Sequence, residues 1–203
     1  MSRLQEQFTS LGKLSQQSVV EMLSGLEDRP TAIVATSLLE SVLGIAIAYK
    51  FGRFPSDSEF GTLFTGYGPL ASFSARVAIS YNLKVINSDQ RHDLGVIKDI
   101  RNKFAHNYLP LSFDTNEINM LCQKLKLTIK LNPPLSDRIG DDNKGKFVKS
   151  IIRNTTYIVT TMMQTKHEKD VLAANKQLIY DKTLKALKDG DYSLRNPLIS
   201  RAA

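Results

Sequence analysis

The stretch from Asp99 to Tyr108, D-I-R-N-K-F-A-H-N-Y, brings together residue types that could do chemistry. Arg101 and His106 lie five residues apart, Asn102 follows the arginine, and Tyr108 lies two residues beyond the histidine. Guanidinium groups bind anions, and imidazoles transfer protons near neutral pH. These residues are therefore the candidate active site of the chain.

A helical wheel sets a geometric condition on that site. Arg101 falls in the middle of the apolar arc that is formed by Ile97, Ile100 and Phe104. A buried guanidinium must be paired or must face a cleft, and Glu40, on another apolar helix, is the obvious carboxylate. Glu40 could support the site or simply neutralise Arg101. His106 lies about 140° away from Arg101 on a straight helix, where it could instead cap the helix C-terminus.

One helix therefore does not bring the two side chains together. Arg101 and His106 can share a site if the helix frays near its end, if the arginine reaches round, or if two subunits contribute.

The pattern R-x4-H-x-Y, with asparagine after the arginine, resembles the HEPN superfamily. Its members are small α-helical bundles, many of them metal-independent ribonucleases of toxin–antitoxin, RNA-processing and antiphage systems. The resemblance implies a homodimer whose two motif helices face each other across a basic cleft. Arg101 would hold the scissile RNA phosphate, and His106 would be the general acid or base for attack by the 2′-hydroxyl. Asn102 would orient His106 or the phosphate.

The resemblance also implies a role for Tyr108. In one branch of the superfamily the tyrosine of this motif is modified with adenylate by a partner nucleotidyltransferase, which acts as the antitoxin. Packing beside Phe104 at the helix end is the structural alternative. The predicted activity is thus a metal-independent endoribonuclease, a toxin or antiphage effector with RNA as substrate and no cofactor.

A second resemblance covers about residues 66–118. The residues Gly66-Tyr67-Gly68-Pro69-Leu70, then Ser74-Ala75-Arg76, Tyr81-Asn82-Leu83 and Val85-Ile86-Asn87, are similar to the MltR-like (mannitol operon repressor) family. This resemblance implies an all-helical, non-catalytic transcriptional regulator that acts through protein or DNA contacts. It is the alternative function.

Composition is compatible with either function. The 203 residues carry a formal charge of +7, so polyanions are plausible partners. There is one cysteine, and no zinc-ligand spacing or phosphate-binding glycine loop, so we expect no metal site and no disulfide. Without a leader-like N-terminus or a convincing membrane span, the chain is expected to be cytoplasmic. An RNA path could follow five lysines, Lys124, Lys126, Lys130, Lys146 and Lys149.

The elements that must position these residues are predicted to be helices, so the fold class is an all-α helical bundle. Apolar residues recur at helical spacing over 15–26, 30–48, from Pro69 to about residue 81, from Asn87 to about His106, 118–125 and 147–163. Asn87 with Gln90, and Asp114 with Glu117, match the capping-box start of a helix.

Two further segments complete the chain. Residues 52–68 are expected to form a loop with a short helix inside it, and residues 125–131 alternate apolar with polar side chains, as in a short strand or extended exit. Residues 1–165 are predicted to form one domain, and residues 166–203 a lysine-rich helical tail with a polar C-terminus.

Overall fold

The structure is a computed structural model that describes residue 6 and residues 9–10, 13–51 and 56–188. Most of the N-terminal stretch, the start of the glycine-rich loop and the predicted polar C-terminus from residue 189 lie outside the described residues.

The predicted all-α fold is confirmed. The described residues contain no strand. Their helices are α1 Gln16–Leu23, α2 Asp28–Lys50, α3 Asp57–Phe64, α4 Phe73–Asn82, α5 Ser88–His106, α6 Asn116–Cys122, α7 Leu135–Arg138 and α8 Asn143–Lys188.

Helix α2 is the centre of the bundle. It packs against α4 and α5, which also pack against each other, and α1 contacts it as well. From Val42 to Ala48 every residue is buried, because α2 has neighbours on several sides. It is long and apolar enough to cross a bilayer, but most of its apolar window is buried inside the bundle, as in a core helix of a soluble protein.

Capping residues fix where several of the helices begin. The Asn87 side chain accepts hydrogen bonds from the backbone N–H groups of Asp89 and Gln90, and the Gln90 side chain accepts one from the Asn87 N–H. The predicted capping box of α5 is therefore confirmed. Ser15 caps α1, and a second capping box between Ser56 and Glu59 begins α3 inside the predicted loop.

Two predicted helix starts are wrong by a few residues. Helix α4 begins at Phe73, after the N-cap Ser72, and not at Pro69. Pro69 lies instead in a turn whose next residue, Leu70, donates its N–H to the Leu63 carbonyl at 2.8 Å. Helix α6 begins at Asn116 after Thr115 and has no side-chain cap, so Asp114 does not begin it.

Residues 125–131 alternate as predicted but pair with no strand. Leu125 and Leu131 are buried, whereas the lysines between them are exposed. The backbone N–H groups of Lys126 and Leu127 donate to the carboxylate of Asp93 at 3.0 and 2.8 Å. A buried side chain on α5 therefore replaces the neighbouring strand that such a segment usually needs.

The chain divides into two compact units, Met1–Met162 and Met163–Ala203. The first holds the buried core, including the aromatic contacts of Phe113 with Phe104 and Phe147. In the second, the structure describes the rest of α8, where the side chains of Leu178 and Tyr180 are exposed.

Candidate functional site

Helix α5 carries three of the predicted site residues, Arg101, Asn102 and His106, on its last two turns. Ile97, Ile100 and Phe104 are buried, so the helix faces the core along the arc expected from the sequence. Arg101 and Asn102 are half-buried, and His106 is exposed at the final residue of the helix. Among the cavities of the described residues, the arginine and the histidine line two different ones.

Arg101 opens into a cavity of about 310 Å³ between α2, the start of α4 and α5. Its Nη1 donates to Asn102 Oδ1 at 3.1 Å. Glu40 lines the same cavity, but the expected ion pair between Glu40 and Arg101 is not formed. The Glu40 carboxylate lies 3.9 Å from Nη2 of Arg76 instead.

Arg76 is the buried arginine that the sequence did not single out as a site residue. It is 8% exposed and donates to three backbone carbonyls, of Leu70, Glu40 and Phe64, at 2.8, 2.8 and 2.7 Å. Burial lowers the pKa of its guanidinium, and the nearby Glu40 opposes that shift. Because three carbonyls and a carboxylate surround it, Arg76 takes the structural role that had been weighed for Arg101.

Gly44 lets Arg76 lie against α2. A Cβ atom at position 44 would be 3.3 Å from Arg76 Nη1 and 3.5 Å from the Phe64 ring. The guanidinium also lies over that ring, 5.4 Å from its centroid. In the sequence Arg76 stood out only as part of the Ser74-Ala75-Arg76 run that is similar to the MltR-like family.

His106 lines a second, larger cavity of about 620 Å³, with Asp99, Lys103, Tyr108, Leu109 and Leu121 among its walls. Asn102 lines both cavities, so it separates the arginine from the histidine. Arg101 and His106 thus line different cavities, and a site that used both would need one of the three conditions that the wheel set.

After His106 the chain enters a short turn, and the side chain of Arg29 on α2 holds the backbone of this turn. Arg29 Nη2 donates to the carbonyls of Asn107 and Leu109 at 2.8 and 3.2 Å, and the Leu109 N–H donates to Asn107 Oδ1 at 3.0 Å. Tyr108, in the middle of the turn, is fully exposed. The packing of Tyr108 beside Phe104 that the sequence allowed is therefore not formed.

Arg29 had no functional signal in the sequence. It follows Asp28 in the first turn of α2, where Asp28 Oδ2 accepts the Phe113 N–H at 2.9 Å and Oδ1 lies 3.2 Å from Lys144 Nζ. These adjacent charged residues fix the connection between α5 and α6 to the first turn of α2.

The five lysines of the predicted RNA path lie on two elements. Lys124, Lys126 and Lys130 are exposed on the segment after α6, and Lys146 and Lys149 are half-buried on α8. Carboxylates already neutralise two of them, since Lys126 pairs with Asp89 at 3.6 Å and Lys149 pairs with Asp141. The hydrogen bond from Lys149 lowers the pKa of Asp141.

The described part of the chain contains no set of side chains arranged to bind a metal ion. No three His, Cys, Asp or Glu side chains there cluster as metal ligands. The free thiol of Cys122 is buried in α6. Burial raises its pKa to about 11, and the charge of Lys146 opposes that shift.

No family model matches the chain, and no curated protein matches it. Among solved structures, it resembles MtlR in the X-ray structure of the MtlR–HPr complex from Escherichia coli. The TM-score is 0.55 at 21% sequence identity, over 71% of this chain and 98% of that one. The fold is similar to that of MtlR. At this identity the likeness shows the fold, which is the one that the MltR-like resemblance implies, and nothing in these comparisons supports the HEPN resemblance.

Proposed function

We propose that this chain is a non-catalytic regulator that acts by binding a protein partner, and we place it in the cytoplasm. The observation that carries the proposal is the turn after α5. Its two carbonyls are pinned by Arg29, while the side chains of Tyr108 and Leu109 project into solvent. A tyrosine on a backbone that is already fixed loses less conformational freedom on binding than one on a free loop, and tyrosines are enriched at the energetic centres of interfaces.

The residues around the turn are suited to binding another protein. Leu121 lines the 620 Å³ cavity beside Tyr108, and Met120, also on α6, is more than half exposed. Apolar side chains grouped at one place on a surface mark interaction sites. We name Tyr108, Leu109 and Leu121, which line this cavity together, the turn patch.

The partner we propose is HPr, because MtlR, whose fold is similar, is seen in complex with HPr. The test is isothermal titration of the full chain with HPr from the same organism. We expect the double variant Tyr108→Ala/Leu109→Ser to bind at least about tenfold more weakly than wild type, while Tyr67→Ala, which removes another fully exposed tyrosine, binds normally. Absence of wild-type binding contradicts HPr as the partner.

Direct DNA contact is the other way in which an MltR-like regulator could act. Retention of a specific operator fragment by wild type and equally by His106→Ala, in gel-shift assays with competitor DNA, would support it. If moderate salt releases every DNA fragment, whatever its base sequence, the binding would reflect only the attraction of a chain with a charge of +7 for polyanions.

A HEPN-type ribonuclease is the second candidate function, and the arrangement around Asn102 favours it. A half-buried arginine and an exposed histidine flank this residue at the end of one helix. Two such ends facing each other in a homodimer could combine Arg101 of one protomer with His106 of the other. An antitoxin nucleotidyltransferase acting on Tyr108 would then be a further partner.

The ribonuclease test is RNA cleavage with EDTA present. The activity predicts that Arg101→Ala and His106→Ala abolish cleavage, whereas His92→Ala retains it, because His92 lies at the other end of α5 and bonds the Lys124 carbonyl. Cleavage unchanged in the first two variants, or absent in wild type, excludes the ribonuclease.

A further inference from the structure

We infer that the 310 Å³ cavity between α2, α4 and α5 binds a small organic phosphate. Among its walls are two cations, Lys98 and Arg101, and the polar side chains of Glu40, Ser72, Ser74 and Asn102. This site goes beyond the proposed protein contact, which uses the turn patch on the other side of Asn102.

The first argument is the state of Arg101. Its guanidinium carries five N–H donors in a fixed plane, and within the described residues its one hydrogen-bond partner is the neutral amide of Asn102. A half-buried cation without a counterion is unfavourable, and a phosphate can accept two parallel hydrogen bonds from a guanidinium. The cavity in front of Arg101 provides the space for such an anion.

The second argument is the charge balance of the cavity. Lys98 lies one turn before Arg101 on α5, and its described ion pair, to Asp99 at 3.5 Å, is to a carboxylate that is more than half exposed. Glu40 is the acidic residue among the lining side chains, and it is already engaged by Arg76. Two positive charges, Lys98 and Arg101, therefore line a cavity whose single lining carboxylate, Glu40, is already partly neutralised by Arg76.

The third argument concerns geometry and size. Ser72 and Ser74, at the start of α4, line the cavity together with the cations of α5. The Ser72 hydroxyl accepts the Ala75 N–H at 3.1 Å and keeps its own O–H to donate, and the first turn of α4 contains no acidic residue. Donors from two elements suit the tetrahedral phosphate, which has several acceptor oxygens, better than a planar carboxylate. A volume of about 310 Å³ is at the small end of ligand sites, so a compact phosphate monoester fits.

The experiment is titration of the full chain with glycerol 3-phosphate and with inorganic phosphate at constant ionic strength, followed by calorimetry and by the thermal unfolding midpoint. Wild type should bind glycerol 3-phosphate and unfold at a higher temperature with it. Arg101→Gln and Lys98→Gln should each weaken binding at least about tenfold. Arg91→Gln, which removes an exposed cation of α5 outside this cavity, should bind as wild type.

The outcomes distinguish a built phosphate site from a general attraction between anions and a basic chain. No binding of either phosphate by wild type, or equal binding by all three variants, overturns the inference. Circular dichroism checks that each variant is folded. If Arg101→Gln does not fold, phosphate binding by Lys98→Gln still tests the inference. A short RNA without terminal phosphates that binds through Arg101 and is not displaced by glycerol 3-phosphate would also overturn it. Binding of HPr is measured separately, so failure of one proposal leaves the other standing.

Discussion

At the scale of single residues, the sequence allowed Arg101 either a structural or a functional role. The structure gives the structural role to Arg76 and leaves Arg101 at an open cavity. Arg76 is enclosed by backbone carbonyls and holds the loop before α4 against α2, whereas Arg101 is left with one amide partner and an open cavity within the described residues. The difference arises from where the carbonyls of Phe64 and Leu70 point, which the sequence alone does not reveal.

We predict that Arg76→Ala lowers the free energy of unfolding by about 3–5 kcal/mol, because three carbonyls lose their donor and Glu40 loses its cation. Urea denaturation followed by circular dichroism measures it. Arg91→Ala is the matched control, since Arg91 makes an exposed contact over the Tyr81 ring and should cost only about 0.5 kcal/mol. Equal effects of the two variants would contradict the structural role of Arg76.

Cys122 gives a prediction with a defined pH direction. Its folded-state pKa of about 11 lies above the ordinary thiol value of about 8.5 in an unfolded chain. The contribution to stability is therefore complete below about pH 8.5 and is lost as the pH rises towards 11, by at most about 1.4 kcal/mol per pH unit.

The measurement is the free energy of unfolding between about pH 8 and about pH 10.5, the range over which an unfolded-chain thiol ionises. Wild type should lose stability more steeply than Cys122→Ala, in which the thiol is absent and all other titrating groups are kept. A thiol-reactive dye at about pH 8 should label Cys122 slowly in the native protein and fast in urea, because the side chain is buried. Parallel pH profiles, or fast native labelling, would be contrary to the raised pKa.

At the scale of elements, helix α5 organises the surrounding chain. Its capping box begins it, its apolar arc packs against α2 and α4, and Asp93 on its buried side holds the extended segment after α6. Asp93 also accepts a hydrogen bond from the Ser150 hydroxyl of α8 at 3.1 Å. One carboxylate thus joins three elements.

We predict that Asp93→Asn destabilises the protein by about 2–4 kcal/mol. The amide keeps one acceptor oxygen and turns an NH₂ group towards a part-buried backbone donor, which leaves that donor unpaired beside a fully buried side chain. Asp89→Asn tests an exposed carboxylate on the same helix, paired with Lys126 at 3.6 Å, and should change stability by less than about 1 kcal/mol. Chemical denaturation of both variants compares them directly, and a difference below about 1 kcal/mol would count against the role of Asp93.

At the scale of the whole molecule, the described buried core lies within the first unit of the chain. Every buried side chain that the structure describes lies at or before Met162. The predicted domain boundary at residue 165 remains a prediction, and so does the homodimer.

We predict that a chain ending at residue 165 unfolds cooperatively, with a urea midpoint close to that of the full chain, because it keeps the described core. A chain ending at residue 150 lacks the buried residues Ile151, Ile152, Ile158 and Met162 and should fail to fold. Circular dichroism and urea titration of both chains decide the matter. Loss of cooperative unfolding on truncation at 165 would show that the C-terminal unit is needed for stability.

The sequence by itself determined the all-α class, the course of the long helices and the start of α5, because apolar spacing and capping residues act over a few neighbouring positions. It also indicated that Arg101 would lie on a partly buried face. The tertiary structure alone decided that Arg76 takes Glu40, that Asp93 replaces a neighbouring strand, and that Arg29 displays Tyr108. Each of these contacts joins residues far apart in the chain, and local sequence patterns carry no information about which distant groups packing will bring together.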